Sequence, residues 1–181
     1  TVFGGIVAGL SGLFLSSITL RLRGDYLAII TLAFGEIIKY IIQNIDFLGG
    51  AAGLNGIPNI TTFNNVYLIV VLSSIVLIMI LISKKGRLLL SIRENEIAAE
   101  NMGVDINKAK IYVLILSAFF AGIGGSLFAH NLGSLTPDKF NFVFSIEILV
   151  MVVLGGLGSI TGAVVSATFL TLLNEILRSV S

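Results

Sequence analysis

The stretch Val66-Tyr67-Leu68-Ile69-Val70-Val71-Leu72-Ser73-Ser74-Ile75-Val76-Leu77-Ile78-Met79-Ile80-Leu81-Ile82-Ser83 carries no charge at all. A bilayer core of about 30 Å is crossed by roughly 20 apolar residues as helix, and this stretch fits that template. Three more segments fit as well: Val2 to Leu20, Tyr26 to Ile45 and Ile111 to Ala129. Phe142 to Leu177 is apolar but too long for one simple helix. The run Gly155-Gly156-Leu157-Gly158-Ser159-Ile160-Thr161-Gly162 divides it near the middle. Glycine at that density weakens a helix by up to about 1 kcal/mol per residue. The expectation there is one broken helix, or two helices joined within or near the membrane. The fold class that follows is all-α, a polytopic transmembrane bundle forming one domain over residues 1–181.

Composition agrees. The chain is 56% hydrophobic and 12% charged, with a mean hydropathy of +1.04; a soluble domain carries about 25% charge. A net charge of +1 gives no footprint for nucleic acid. Cysteine is absent, which excludes disulfides and thiolate metal sites, and His130 alone builds no zinc site. Tyr and Phe must supply any interfacial aromatic belt, because Trp is missing. The chain opens on Thr1 and has no signal-peptide pattern. It reads as incomplete at one or both termini.

Charge sets the orientation. The 84–110 loop holds Lys84, Lys85, Arg87, Arg93, Lys108 and Lys110; the 46–65 loop holds no Lys or Arg, and the 130–141 loop only Lys139. The positive-inside rule places 84–110 in the cytoplasm and the other two loops outside. Arg21 and Arg23 then fall inside too. Small residues recur at packing distance, Gly5/Gly9, Ala118/Gly122, Ala121/Gly125 and Gly158/Gly162, and indicate close helix crossings.

Within the cytoplasmic loop, Ser91 to Met102 reads as one short helix, with Ser91 and Glu94 as a capping box and Gly103 as its stop. Arg93, Glu96 and Glu100 share a polar face, and Ile92, Ala99 and Met102 share another. An amphipathic helix on the membrane surface is the bland reading, but the apolar face is short and lacks aromatics. A docking helix for another subunit explains Ala98, Ala99 and Gly103 better, since they let a partner come close.

Two charges lie inside a span. Glu36 sits roughly 15 Å deep at 1.5 Å per residue, with Lys39 at i+3. A charge at the bilayer centre costs about 2.5–3.5 kcal/mol on insertion scales. The pair is either a self-neutralised structural unit or a polar lining for a zwitterionic substrate. Gly155 and Gly156 are the other pathway candidates, since a helix break exposes backbone groups. Tight helix crossing explains them almost as well. Glu147, Glu175 and His130 read as interfacial. Nucleotide-binding motifs are lacking: no Lys is followed by Ser or Thr.

The segment Arg93-Glu94-Asn95-Glu96-Ile97-Ala98-Ala99-Glu100-Asn101-Met102-Gly103 resembles the "E-A-A, three residues, G" loop of bacterial ABC-importer permeases. Ile97 stands where that motif has Glu, Glu96 is one position early, and the motif's later Pro is missing. Four further stretches resemble the branched-chain amino-acid importer permease family: Leu20 to Ile29, Phe34 to Ile38, Gly53 to Pro58 and Met151 to Ile160. The resemblance implies a subunit of an ATP-driven importer for branched-chain amino acids in the bacterial cytoplasmic membrane. Glu96, Ala98, Ala99 and Gly103 would dock the ATPase. It implies two ATP-binding subunits, a second homologous permease and an extracytoplasmic binding protein as partners. ATP and Mg would sit on the partner ATPases, with no cofactor and no catalysis in this chain. Related permeases carry urea or other small amides and amino acids, which leaves the substrate open. An ion-coupled secondary transporter using Glu36 is a further alternative, without need of the 98–103 helix. An intramembrane enzyme would require a nucleophile, base or metal set that the sequence does not supply.

Overall fold

The stretch at 66–83 lies in helix α3, Phe63–Ile82, in the computed structural model, which describes residues 1–19, 25–59 and 61–180. Around it stand α1 (Val2–Thr19), α2 (Asp25–Gln43), α4 (Lys84–Glu94), α5 (Glu96–Asn101), α6 (Ile106–Leu132), α7 (Phe142–Gly155) and α8 (Ile160–Val180). Short 3-10 turns at Asp46–Leu48, Gly50–Ala52 and Pro137–Lys139 fill the loops. Among the described residues, α3, α6 and most of α8 are long and apolar enough to cross a membrane. Arg21 and Arg23, the second mark of orientation, lie outside the described residues.

Helix α6 starts five residues before the apolar segment expected at Ile111. Asp105 caps it: its Oδ1 accepts from the Lys108 N–H at 3.1 Å. The 27 residues of α6 reach about 40 Å, beyond the hydrocarbon core on both sides. The Lys108 N–H, and then its ammonium, hold the Asp105 carboxyl below the usual carboxylate range.

Small residues bring α1 and α6 together. A Cβ on Gly12 would lie 2.7 Å from the Cβ of Ala118, and one on Gly5 would lie 3.0 Å from Phe119 and Ile123. Gly122 leaves no room at all against Ala8. Without a hydrophobic force between helices in lipid, such close approach supplies the packing energy. The expectation from Gly5/Gly9 and Ala118/Gly122 therefore holds. Ala121/Gly125 differs, because Gly125 has open space beside it. Gly158/Gly162 also differs, because Gly162 packs on Gly155 and Gly158 lies under Arg93.

The long segment from Phe142 is two antiparallel helices. Gly155 and Gly162 touch backbone to backbone, the Ser166 hydroxyl donates to the Met151 carbonyl, and Asn174 Nδ2 donates to Glu147 Oε1 at 3.3 Å. The glycine run is thus the turn of a hairpin, giving six apolar helices among the described residues.

The helix ends sort into two layers. In one, β1 (Leu54–Asn55) pairs antiparallel with β2 (Ser134–Leu135), with Leu54 opposite Leu135 and Asn55 opposite Ser134. Gln43 Nε2 donates to Asp138 Oδ1 at 2.7 Å, His130 Nδ1 lies 3.0 Å from the Pro58 carbonyl, and the Ile57 N–H donates to the Gly133 carbonyl at 3.0 Å. The loops poor in Lys and Arg are therefore zipped together. The other layer gathers the basic loop: Lys110 on Glu96, Lys85 over the Tyr112 ring, and Arg93 on the α7–α8 turn.

Candidate functional site

The 84–110 loop holds two helices where the sequence suggests one. Ser91 lies inside α4, and its hydroxyl donates to the Leu88 carbonyl at 2.8 Å instead of capping. Ser83 and Asn95 are the caps, accepting from the Gly86 and Ala98 N–H groups at 3.3 and 3.0 Å. Asn95 is extended (φ −157°, ψ 106°). That break takes Ile92 out of phase with Ala99, and Met102 is the C-cap beyond α5, so the face expected from Ile92, Ala99 and Met102 does not form. Ala99 turns inward and is 5% exposed, whereas Met102 is 85% and Ile97 73% exposed.

The four expected docking residues therefore part company. Ala98 lies exposed on α5. Gly103 is exposed in the left-handed region (φ +84°), where it ends the helix and a side chain would be strained. Glu96 is taken up within the chain: its Oε1 accepts from Lys110 Nζ at 2.6 Å, tying α5 to α6. Ala99 packs inside the loop, and the Val104 N–H donates to its carbonyl at 3.1 Å. Its smallness serves the loop's own packing. Ile97, Ala98 and Met102 are exposed, next to the equally exposed Glu100 and Asn101. Beside them, Lys85, Leu88, Met102, Val104, Lys108 and Tyr112 line much of a groove of about 580 Å³.

Within the bundle, Lys39 Nζ lies 3.4 Å from Glu36 Oε2, with the two side chains 13% and 30% exposed. The Tyr40 ring lies 5.4 Å from the same ammonium. The pair does not share one chamber. Lys39 faces a cavity of about 310 Å³ with Ile38, Ile42, Leu54, Leu135 and Phe140 among its walls. Glu36 faces a second, of about 190 Å³, with Thr31, Phe142, Phe144 and Ser145. Gly35 and Phe140 line both and form the partition. An acid and a base thus present opposite charge to adjoining spaces whose remaining walls are largely apolar.

Gly155 and Gly156 line neither cavity. Gly155 is consumed by its contact with Gly162, and Gly156 stands in the hairpin turn on the basic side. Among the described residues no cluster of His, Asp or Glu could hold a metal ion. His130 is taken by the Pro58 carbonyl.

Sequence reading did not single out the exposure of Ile97, the Asn95 cap or the contact of Arg93 with Gly158, and it set Met102 on one face with Ala99. Asn95 had a local signal, an Asn directly before Glu96, which is N-cap chemistry competing with Ser91. Arg93 had none, because its neighbour Gly158 is remote in sequence.

Residues 1–181 match the family described as the branched-chain amino acid transport system permease component. The chain is 34% identical to the high-affinity branched-chain amino acid transport system permease protein LivM of Salmonella typhimurium, over 96% of this chain and 49% of that protein. LivM of Escherichia coli gives the same figures. The probable branched-chain amino acid transport permease protein LivH of Methanocaldococcus jannaschii is 32% identical, over 82% of this chain and 45% of its own length. The chain spans about half the length of these curated relatives. No solved structure matches it. A bundle of apolar helices matched along its whole length in this way has one placement: the chain belongs to the family of branched-chain amino acid transport system permease components.

Proposed function

We propose that this chain is the membrane-embedded part of an ATP-driven importer that moves branched-chain amino acids across the bacterial cytoplasmic membrane. The family match over residues 1–181 is the observation that carries the reading. Two ATP-binding subunits supply the hydrolysis, with ATP and Mg bound to them, and this chain catalyses no reaction. A second homologous permease completes the pathway, and an extracytoplasmic binding protein delivers substrate to the zipped outer loops.

The residues support parts of this scheme. Ile97, Ala98 and Met102 give a partner an apolar seat outside the lipid, where such exposure otherwise has no use. Glu36 gives one cavity a carboxylate that attracts a substrate ammonium, and Lys39 gives the adjoining cavity an ammonium that attracts a substrate carboxylate. The walls built by Ile38, Ile42, Leu54 and Phe140 take the hydrocarbon side chain. A urea carrier needs neither full charge nor that apolar volume, which favours an amino acid.

The test is uptake of labelled leucine by vesicles holding the complete complex. Uptake should require ATP, be competed by isoleucine and valine, and resist urea. Competition by urea alone would overturn the substrate assignment. ATP-independent uptake driven by an ion gradient would overturn the importer reading.

A further inference from the structure

Arg93 stands at the end of α4, two residues before the extended Asn95 from which α5 restarts. Its guanidinium occupies the space that a Cβ on Gly158 would take. Gly158 has φ +89°, so glycine there meets two demands, a left-handed backbone and room for the arginine. Glu94 Oε1 accepts from Arg93 Nη2 at 2.6 Å.

Beyond that contact lies a rigid piece. The Gly155–Gly162 backbone contact, the Ser166 bond to Met151 and the Asn174 bond to Glu147 bind α7 to α8 at successive levels. At the far end of α7, Phe142, Phe144 and Ser145 line the cavity that Glu36 faces. One rigid hairpin therefore touches the cytoplasmic loop at its turn and the charged cavity at its other end.

We propose that Arg93 is a positioning residue that carries movement of α5 into the α7–α8 hairpin, which acts as the lever that opens and closes the Glu36 cavity. This rests on the importer reading, in which an ATPase moves α5. Arg93 Nη1 fills the space beside Gly158, so a shift of α4 is met at the turn through this contact. Arg93 also places a positive charge near the carbonyl end of α7, where the helix dipole favours it. Only Glu94 separates Arg93 from Asn95, the cap of α5, so tilting α5 displaces the arginine.

The experiment uses the full complex in proteoliposomes, with ATP-binding subunits, partner permease and binding protein. It reads leucine molecules taken up per ATP hydrolysed. In Arg93→Ala, capture of the ATPase and the basal hydrolysis rate should stay within about twofold of wild type, while leucine per ATP falls at least tenfold. Arg93→Gln keeps the length and polarity of the side chain but loses the planar fork, and should fall in the same sense. It decides the matter if the alanine variant is not recovered from membranes. Arg87→Ala, on the same helix, should leave the ratio unchanged. A wild-type ratio in Arg93→Gln would overturn the inference. So would loss of ATPase capture in either variant, because Arg93 would then be a docking residue. A wild-type complex that neither captures an ATPase nor couples ATP to uptake would instead defeat the importer reading, and it shows itself without any variant.

Discussion

Glu36 and Lys39 give the most quantitative prediction. At 3.4 Å and an effective dielectric of about 20, two unit charges attract by about 5 kcal/mol. Desolvation offsets much of this, so a net coupling of about 1–3 kcal/mol is expected. Glu36→Gln and Lys39→Met keep side-chain volume while removing one charge each. Each leaves its partner half-buried and unpaired, at a cost of about 2–3 kcal/mol. The double variant leaves no orphan charge and should be more stable than either single variant. The assay is equilibrium unfolding in mixed micelles, followed by tyrosine fluorescence, since the chain has no Trp. Costs that add to within about 0.5 kcal/mol would show that the charges do not act as a pair. The same variants read the transport role: with both charges gone the protein should be stable yet transport poorly.

Three other outcomes follow from the packing and the topology. Ala99→Arg forces bulk and charge into the interior of the 84–110 loop, costs at least about 1–3 kcal/mol, and should make that loop protease-sensitive; unchanged digestion would place Ala99 on the surface after all. Gly122→Leu should separate α1 from α6 and lower membrane-folded yield several-fold, whereas Gly125→Leu, with open space beside it, should not; equal yields would refute the crossing. Cysteine at Asn55 should be labelled from outside by an impermeant thiol reagent, and cysteine at Asn101 or Leu157 from inside; outside labelling at Leu157 would break the hairpin topology.

Much of the bundle was legible because lipid imposes a simple rule. Long apolar runs such as Val66 to Ser83 must be helical, and charge asymmetry orients them. What was not legible depended on phase and on distance in sequence. Asn95 and Ser91 are both good caps, and only the packing of Ala99 against the loop selects Asn95. With the helix restarting there, Ala99 is buried while Met102, at the C-cap, is exposed. The glycine run after Val153 announced a break, but a break and a hairpin turn look alike until Gly155 is seen against Gly162. Glu36 and Lys39 stood out as intramembrane charges. Their division between two adjoining cavities was hidden, because Phe140 and Leu135 come from a loop nearly a hundred residues away.

The central claim is that an ATP-binding subunit seats on α5 and drives import. Ile97 and Met102 are its largest exposed apolar contacts, and burying each is worth about 1.5–3 kcal/mol. Replacing both with Asp should weaken the seat a hundredfold or more, since about 1.4 kcal/mol is a factor of ten. The decisive measurement is capture of the ATP-binding subunit by the detergent-solubilised permease pair, wild type against Ile97→Asp/Met102→Asp. Wild type should hold it through purification, and the variant, inserted in the membrane at normal levels, should lose it. Equal capture by the two would mean that α5 is an ordinary linker and that the docking account is wrong.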